Sequence, residues 1–241
     1  MTKFKTFFCI AMAMATVTSY GQDKDPSTYD EGVVINGVKW ATRNVDSHGR
    51  FVYNVEGYGG LFQWGRVGDG HEWRSSAAHR DGVVVGVGGK LDANGQVSTS
   101  HAAFGKFITG NDWRNPESST LWNSGTVLSP VKTVNDPCPA GWRVPTQAEL
   151  KKLLDAGSTW TKMDGVGGRL FGKGNNMIFL PAAGYRPNSG GNVSGVGANG
   201  NYWSTSEGLT RGVSYLRFSS AEALLQEGFK TLGVSVRCVA E

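Results

Sequence analysis

Two cysteines constrain this chain more than any other residues. Cys138 stands in a rigid loop, Asp136-Pro137-Cys138-Pro139, and Cys238 stands about a hundred residues later in the apolar run Val234 to Val239. A loop cysteine and a terminal-strand cysteine suggest a disulfide tying the C-terminus to the middle of the domain, which requires an oxidising compartment. The alternative is two independent buried thiols. The third cysteine, Cys9, lies inside an N-terminal apolar run, where it does not fit the position of a lipoprotein cysteine.

That N-terminus has the pattern of a signal peptide. Lys3 and Lys5 form a basic start, Phe7 to Val17 is apolar, and Ser19 and Gly21 are small residues ahead of an expected cleavage at Gln22. The blander reading is a buried N-terminal strand. The apolar run is short for a membrane span, and no later stretch is long and apolar enough for one. The expected mature chain is therefore exported, to the periplasm, the cell surface or outside the cell, with no transmembrane segment.

The remaining organisation follows from turn and period signals. Residues 22–31 are acidic and polar and read as a linker. Asn36-Gly37 between Val33-Val34-Ile35 and Val38-Lys39-Trp40 predicts a type I′ hairpin. Thr146 with Glu149 forms a capping box ahead of Leu150, Leu153 and Leu154, so one helix follows Pro145 and ends near Gly157. Strands are expected at residues 61–64, 177–180, 213–218 and 234–239, the last with Val234, Val236 and Cys238 on one face. Thirty-five glycines favour turns and long ordered loops over further helices. No helical period persists from Arg66 to Pro130, which reads as a long insertion. The expected fold class is α+β: one domain over residues 32–241, with short antiparallel strands, one clear helix and long loops.

Five blocks resemble a known family. Asn36-Gly37-Val38-Lys39-Trp40-Ala41-Thr42-Arg43-Asn44-Val45, Asp136 through Thr146, Leu180-Pro181-Ala182-Ala183-Gly184-Tyr185-Arg186, Tyr202-Trp203-Ser204-Thr205 and Val234-Ser235-Val236-Arg237-Cys238 are similar, in order, to the Fibrobacter succinogenes major paralogous domain of exported bacterial proteins. The resemblance implies kinship with the C-type-lectin-like fold, paired terminal strands and a loop-rich ligand face. The chain departs from calcium-dependent lectins, since Trp122-Asn123-Ser124 lacks the last carboxylate and Glu-Pro-Asn is absent. It also lacks a second cysteine pair of the kind a formylglycine-generating enzyme needs.

Other chemistry is thinly supported. His71-Glu72 opens like a zinc-protease helix, but Ser75 stands where the second imidazole is required. His48, His71, His79 and His101 thus read as solvated loop histidines. Gly167 to Lys173 resembles a phosphate loop, but Gly174 replaces the magnesium-binding hydroxyl. There is no nucleophile elbow, and a net charge of +4 without a basic run gives no reason to expect nucleic acid. No cofactor or metal is expected.

Trp40, Trp64, Trp142 and Trp203 are expected in the core. Trp73, Trp113 and Trp122 lie among polar residues of the insertion, where indoles stack on sugars or anchor proteins, although loop packing is the favoured reading of each. The 185–203 loop offers Arg186, Asn188, Asn192, Asn199 and Tyr202 in a composition like that of an antibody combining site. The expected ligand contacts are Arg186, Asn188, Asn199, Tyr202, Trp113 and Trp122. The function expected is a noncatalytic binding module for a glycan or protein, in surface adhesion or a surface appendage. The alternatives are a carbohydrate-active enzyme built on a carboxylate pair among Asp112, Glu117, Asp164, Glu207 and Glu222, and a purely structural assembly subunit.

Overall fold

The computed structural model describes residues 24–80, 84–85, 90–208 and 212–241. The expected signal peptide and Cys9 lie outside the described residues, as does the glycine-rich stretch 82–89 except for Val84 and Val85.

The hairpin forms as its turn chemistry requires. Val33–Ile35 pairs antiparallel with Val38–Ser47. Asn36 and Gly37 both take positive φ, 47° and 77°, which is the type I′ geometry that Asn-Gly adopts with least strain. Val38–Ser47 pairs in turn with the C-terminal strand Arg237–Ala240, which pairs with Trp142–Arg143. The two ends of the described chain therefore meet in one sheet. Cys138 and Cys238 are joined by a disulfide, with Cα atoms 6.0 Å apart, which ties the loop before Trp142–Arg143 to the strand Arg237–Ala240. Both half-cystines are buried with Trp64, Trp122, Trp142, Val144, Trp203 and Val236.

Of the stretch expected as a linker, the described part is docked at Ser27 and Asp30. Asp30 is buried and accepts hydrogen bonds from the backbone and hydroxyl of Thr42, from the backbone of Gly32 and from Arg43 Nε. Phe51 donates its backbone N–H to Ser27. Asp30 stands in an acidic, polar stretch that looks like linker composition, and nothing local signals its arginine partner thirteen residues on.

The helix Gln147–Asp155 begins at Thr146 with both arms of the capping box present. Arg143 grips Glu149 with two nitrogens, at 2.8 and 2.6 Å. Leu150 and Leu153 face a cluster containing Phe171, Leu180, Leu216 and Phe218, and Gly157 follows the helix at φ 82°. Two three-stranded meanders, Ser158–Met163, Val166–Lys173 and Asn176–Pro181, then Gly200–Glu207, Val213–Phe218 and Ala223–Gly228, build much of that cluster, and Ile35, Val38, Trp40 and Val239 of the terminal sheet join it.

The fold class is mainly β, which corrects the expected α+β. Strand and bridge residues account for 39% of the described residues and helix for 4%. Among the described residues one helix, of nine residues, fills one gap between sheets and makes no layer. Elsewhere among the described residues the apolar runs are short, and alternation or glycine makes them strands.

The last strand is also broken. Gly233–Val234 pairs with Phe62–Gln63, whereas Arg237–Ala240 joins the terminal sheet. All residues from Gly233 to Val239 are buried, including the full guanidinium of Arg237. Arg237 donates to Asn44 Oδ1 and to the carbonyls of Ala41 and Phe179. Alternation thus reports two packed faces here, one of them polar.

Between these parts sits the insertion. Its strands are two residues long and paired in parallel: Ala78–His79 with Phe107–Ile108, and Val84–Val85 with Arg114–Asn115. Val84, Val97, Ala103, Ile108, Trp113 and Leu121 form its own small cluster.

Candidate functional site

Phe62–Gln63 feeds a turn-rich loop, and the residues that hold this loop define a groove of about 660 Å3. Three indole N–H groups take alternate carbonyls of the segment: Trp203 donates to Phe62 at 2.8 Å, Trp113 to Trp64 at 2.7 Å and Trp122 to Arg66 at 3.1 Å. Gln63 uses its amide to reach the backbone of Ile108 and Thr231. An irregular segment cannot satisfy its own buried carbonyls, so these side chains replace a sheet partner.

The next layer is charged. Arg66 is fully buried and donates to Gln63 Oε1, to the carbonyl of Lys106 and to Asp69 Oδ2. Asp69 Oδ1 lies 2.7 Å from His71 Nδ1, and the backbone N–H of Gln63 donates to His71 Nε2 at 3.0 Å. His71 is therefore a neutral imidazole carrying its proton on Nδ1. Burial first, then the positive Arg66, push it down to about 4, against a partial pull from Asp69. Burial works against ionising Asp69, but the N–H groups of His71 and the guanidinium of Arg66 outweigh it and hold the carboxyl well below its usual range. Glu72, whose Oε2 accepts from the Gly70 N–H, is pushed up by burial. His71 is thus a buried structural residue and not the solvated loop histidine its context suggests.

Asp69, His71 and Glu72 place ligand-type atoms within 4.8 Å of one another. The set does not suit a metal ion. The Nε2 lone pair is taken by a backbone N–H, and Nδ1 carries a proton for Asp69, so the imidazole has nothing left to donate. The Asp69–Glu72 pair has roughly the separation of a retaining glycosidase pair, yet their side chains are 4% and 2% exposed, and both Asp69 oxygens are committed to Arg66 and His71. The cluster stiffens the groove.

The groove itself is aromatic and polar. Trp73 is 62% exposed and Phe104 38% exposed, and Ser47, His48, Ser76, Gly68, Gly70 and Gly105 line the space with them. A Cβ on Gly68 would stand 2.7 Å from His48 Cβ and 3.0 Å from Glu72 Oε1, so glycine lets those two side chains close the wall. Arg186 holds the far side. It donates to the Trp73 carbonyl at 3.1 Å and to the hydroxyl and carbonyl of Ser76, and stacks 4.1 Å above the Phe107 ring.

The expected ligand contacts have mixed fates. Trp113, Trp122, Tyr202 and Arg186 are buried. The two indoles serve as backbone donors. Tyr202 donates to the Pro181 carbonyl at 2.7 Å, with burial pushing its phenol up to about 12. Arg186 positions the Trp73 loop. Asn188 is half-buried and exchanges hydrogen bonds with Gly110. Asn199 lines a separate pocket with Tyr185 and Tyr215. These six residues do not converge on one site. Of the expected carboxylates, Asp112, Glu117 and Glu207 gather around Lys230 at 3.6, 3.7 and 3.9 Å, Asp164 sits in a turn at φ 48°, and Glu222 is exposed. Sequence reasoning missed the groove because polar neighbours surround all three insertion tryptophans alike. Trp73 lies between Glu72 and Arg74, and Trp113 lies likewise between Asp112 and Arg114, so flanking charge does not tell the exposed indole from the buried one.

No family model, curated protein or solved structure matches the chain. No helix among the described residues is long and apolar enough to cross a membrane.

Proposed function

We propose that this is an exported, noncatalytic binding module that recognises a glycan in the Trp73 groove. The observation that carries the reading is an indole 62% exposed beside Phe104. It projects from a loop whose carbonyls are clamped by a buried arginine. A solvated indole contributes little to folding, and a rigid one stacks on a pyranose ring with little loss of conformational freedom. Ser47 and His48 supply hydrogen-bonding groups for hydroxyls around that platform. The commitment of Asp69 to Arg66 and His71 supports binding without turnover. Export is supported by the disulfide, which persists in oxidising compartments, and by the five blocks that resemble a family of exported domains.

A glycan array probed with the mature protein, followed by calorimetry on the best binder, tests this. Trp73→Ala is expected to weaken binding by about tenfold or more, since one stacked aromatic contributes on the order of 1–3 kcal/mol. Unchanged affinity in that variant, or no binding across a broad array, overturns the reading.

A further inference from the structure

A second concavity, of about 310 Å3, lies on the sheet formed by Gly200–Glu207, Val213–Phe218 and Ala223–Gly228. Strand alternation places its residues. Asn201 stands opposite Arg217, and Tyr215 opposite Gln226. The intervening Tyr202, Leu216 and Phe218 turn the other way, into the cluster that receives the helix. Tyr185 and Asn199 close the pocket from the preceding loop, and Leu232 and Val234 add apolar lining.

The chemistry of this lining is selective. Arg217 is its one charged residue, and no acidic side chain is among the lining residues. Arg217 is half-buried as a residue, and its guanidinium reaches the amide oxygen of Gln226 at 3.3 Å on the exposed side. Burial pushes the Tyr215 phenol up, Arg217 lowers it and Tyr185 raises it, so both neighbours stand close enough to act on it. A guanidinium fork matches a carboxylate in two parallel hydrogen bonds. Carboxamide and phenol groups both donate and accept, as vicinal hydroxyls require. The volume is that of a small-ligand site.

The geometry points to a binding site for an acidic sugar residue, with its carboxylate on Arg217 and its hydroxyls on Asn199, Gln226 and the phenols of Tyr185 and Tyr215. No lining residue is shared with the Trp73 groove, so the site stands whether or not that groove binds glycans.

Saturation-transfer NMR and calorimetry on the mature protein, with methyl glucuronoside, methyl glucoside and an N-acetylated peptide ending in a free carboxylate, test the assignment. Glucuronoside is expected to bind, glucoside about tenfold more weakly for want of the charge-assisted bonds, and the peptide more weakly than the glucuronoside. Arg217→Gln is expected to abolish the preference for glucuronoside over glucoside, and Trp73→Ala to leave it unchanged. Should Arg217→Gln not fold, Gln226→Ala is expected to weaken glucuronoside binding in its place. Equal binding of the two glycosides, tighter binding of the peptide, no binding of the glucuronoside, or indifference to the substitution that folds overturns the assignment.

Discussion

The terminal sheet and the middle insertion solve the same problem by different means. In the sheet, backbone ladders pair Val38–Ser47 with Val33–Ile35 and Arg237–Ala240, and side chains are left to pack. In the insertion the ladders are two residues long, so buried carbonyls are met by Trp113, Trp122, Gln63, Arg66 and Arg186. The difference teaches where specificity of sequence is needed. A ladder tolerates any residue of suitable size, because its bonds belong to the main chain. A strut exists only while one particular side chain does. The insertion is thus the more mutable in shape, and it presents the exposed aromatic groove.

The largest expected effect falls on the sheet. Replacing both Cys138 and Cys238 by serine frees a loop with a sequence separation of 100. The chain-entropy cost is up to about 4.7 kcal/mol, read as a lower urea midpoint than that of the oxidised protein. Hydrogen exchange is expected to accelerate in both regions, because the insertion leans on Trp203 and Thr231 of the scaffold. Faster exchange confined to the sheet would show the insertion to be self-supporting and would dissolve the contrast drawn above.

Next comes acid. The imidazole of His71 takes a proton near 6.5 when unfolded but only near about 4 when folded. Between those values the unfolded chain binds more protons, so stability falls as pH drops through that window, by about 3 kcal/mol at most. Asp69 does not contribute to this loss, because its folded carboxyl is held low and its stabilisation is lost only at lower pH. Glu72 acts in the opposite sense, since a carboxyl raised by folding regains stability as it protonates. Urea midpoints measured from pH 7 to 4 are expected to fall in the native protein and to fall less in His71→Gln. Parallel curves would place the acid sensitivity elsewhere than this cluster.

A smaller effect is expected for Arg186→Lys. Lysine cannot span the Trp73 carbonyl and both Ser76 acceptors at once. About 2 kcal/mol is expected to be lost from one or two abandoned buried acceptors. Hydrogen exchange is expected to quicken at residues 71–78 while amides of the Arg237–Ala240 strand hold their rates. Uniform quickening would mean that the strut supports the whole fold.

Legibility in the sequence follows the same division. The hairpin at Asn36-Gly37 and the capping box at Thr146 are local chemistry, and both stand where the residues put them. The disulfide was one of two open readings and is the one found. The fold class was misread because one well-signalled helix was given the weight of a layer. The break after Val234 was hidden because Ser235 and Arg237 are polar residues with buried partners, and period-two reasoning assigns polar residues to solvent. The insertion was least legible. Arg186 and Trp73 are more than a hundred residues apart, and their contact depends on main-chain carbonyls, which leave no trace in side-chain pattern.

The smallest expected effect on stability is at Trp73, and it separates packing from recognition. An indole 62% exposed has little contact area to lose, so Trp73→Ala is expected to shift the urea midpoint by no more than about 0.5 kcal/mol. Trp113→Ala, in contrast, removes a fully buried indole and its bond to the Trp64 carbonyl, at a cost of about 3–5 kcal/mol. The two residues have similar polar surroundings in sequence, forty positions apart. If both substitutions destabilise equally, Trp73 is a packing residue and its exposure is covered by a contact within the folded chain. If Trp73→Ala is silent in unfolding yet weakens glycan binding, the insertion's struts exist to hold one aromatic face in water, and the scaffold exists to hold the struts.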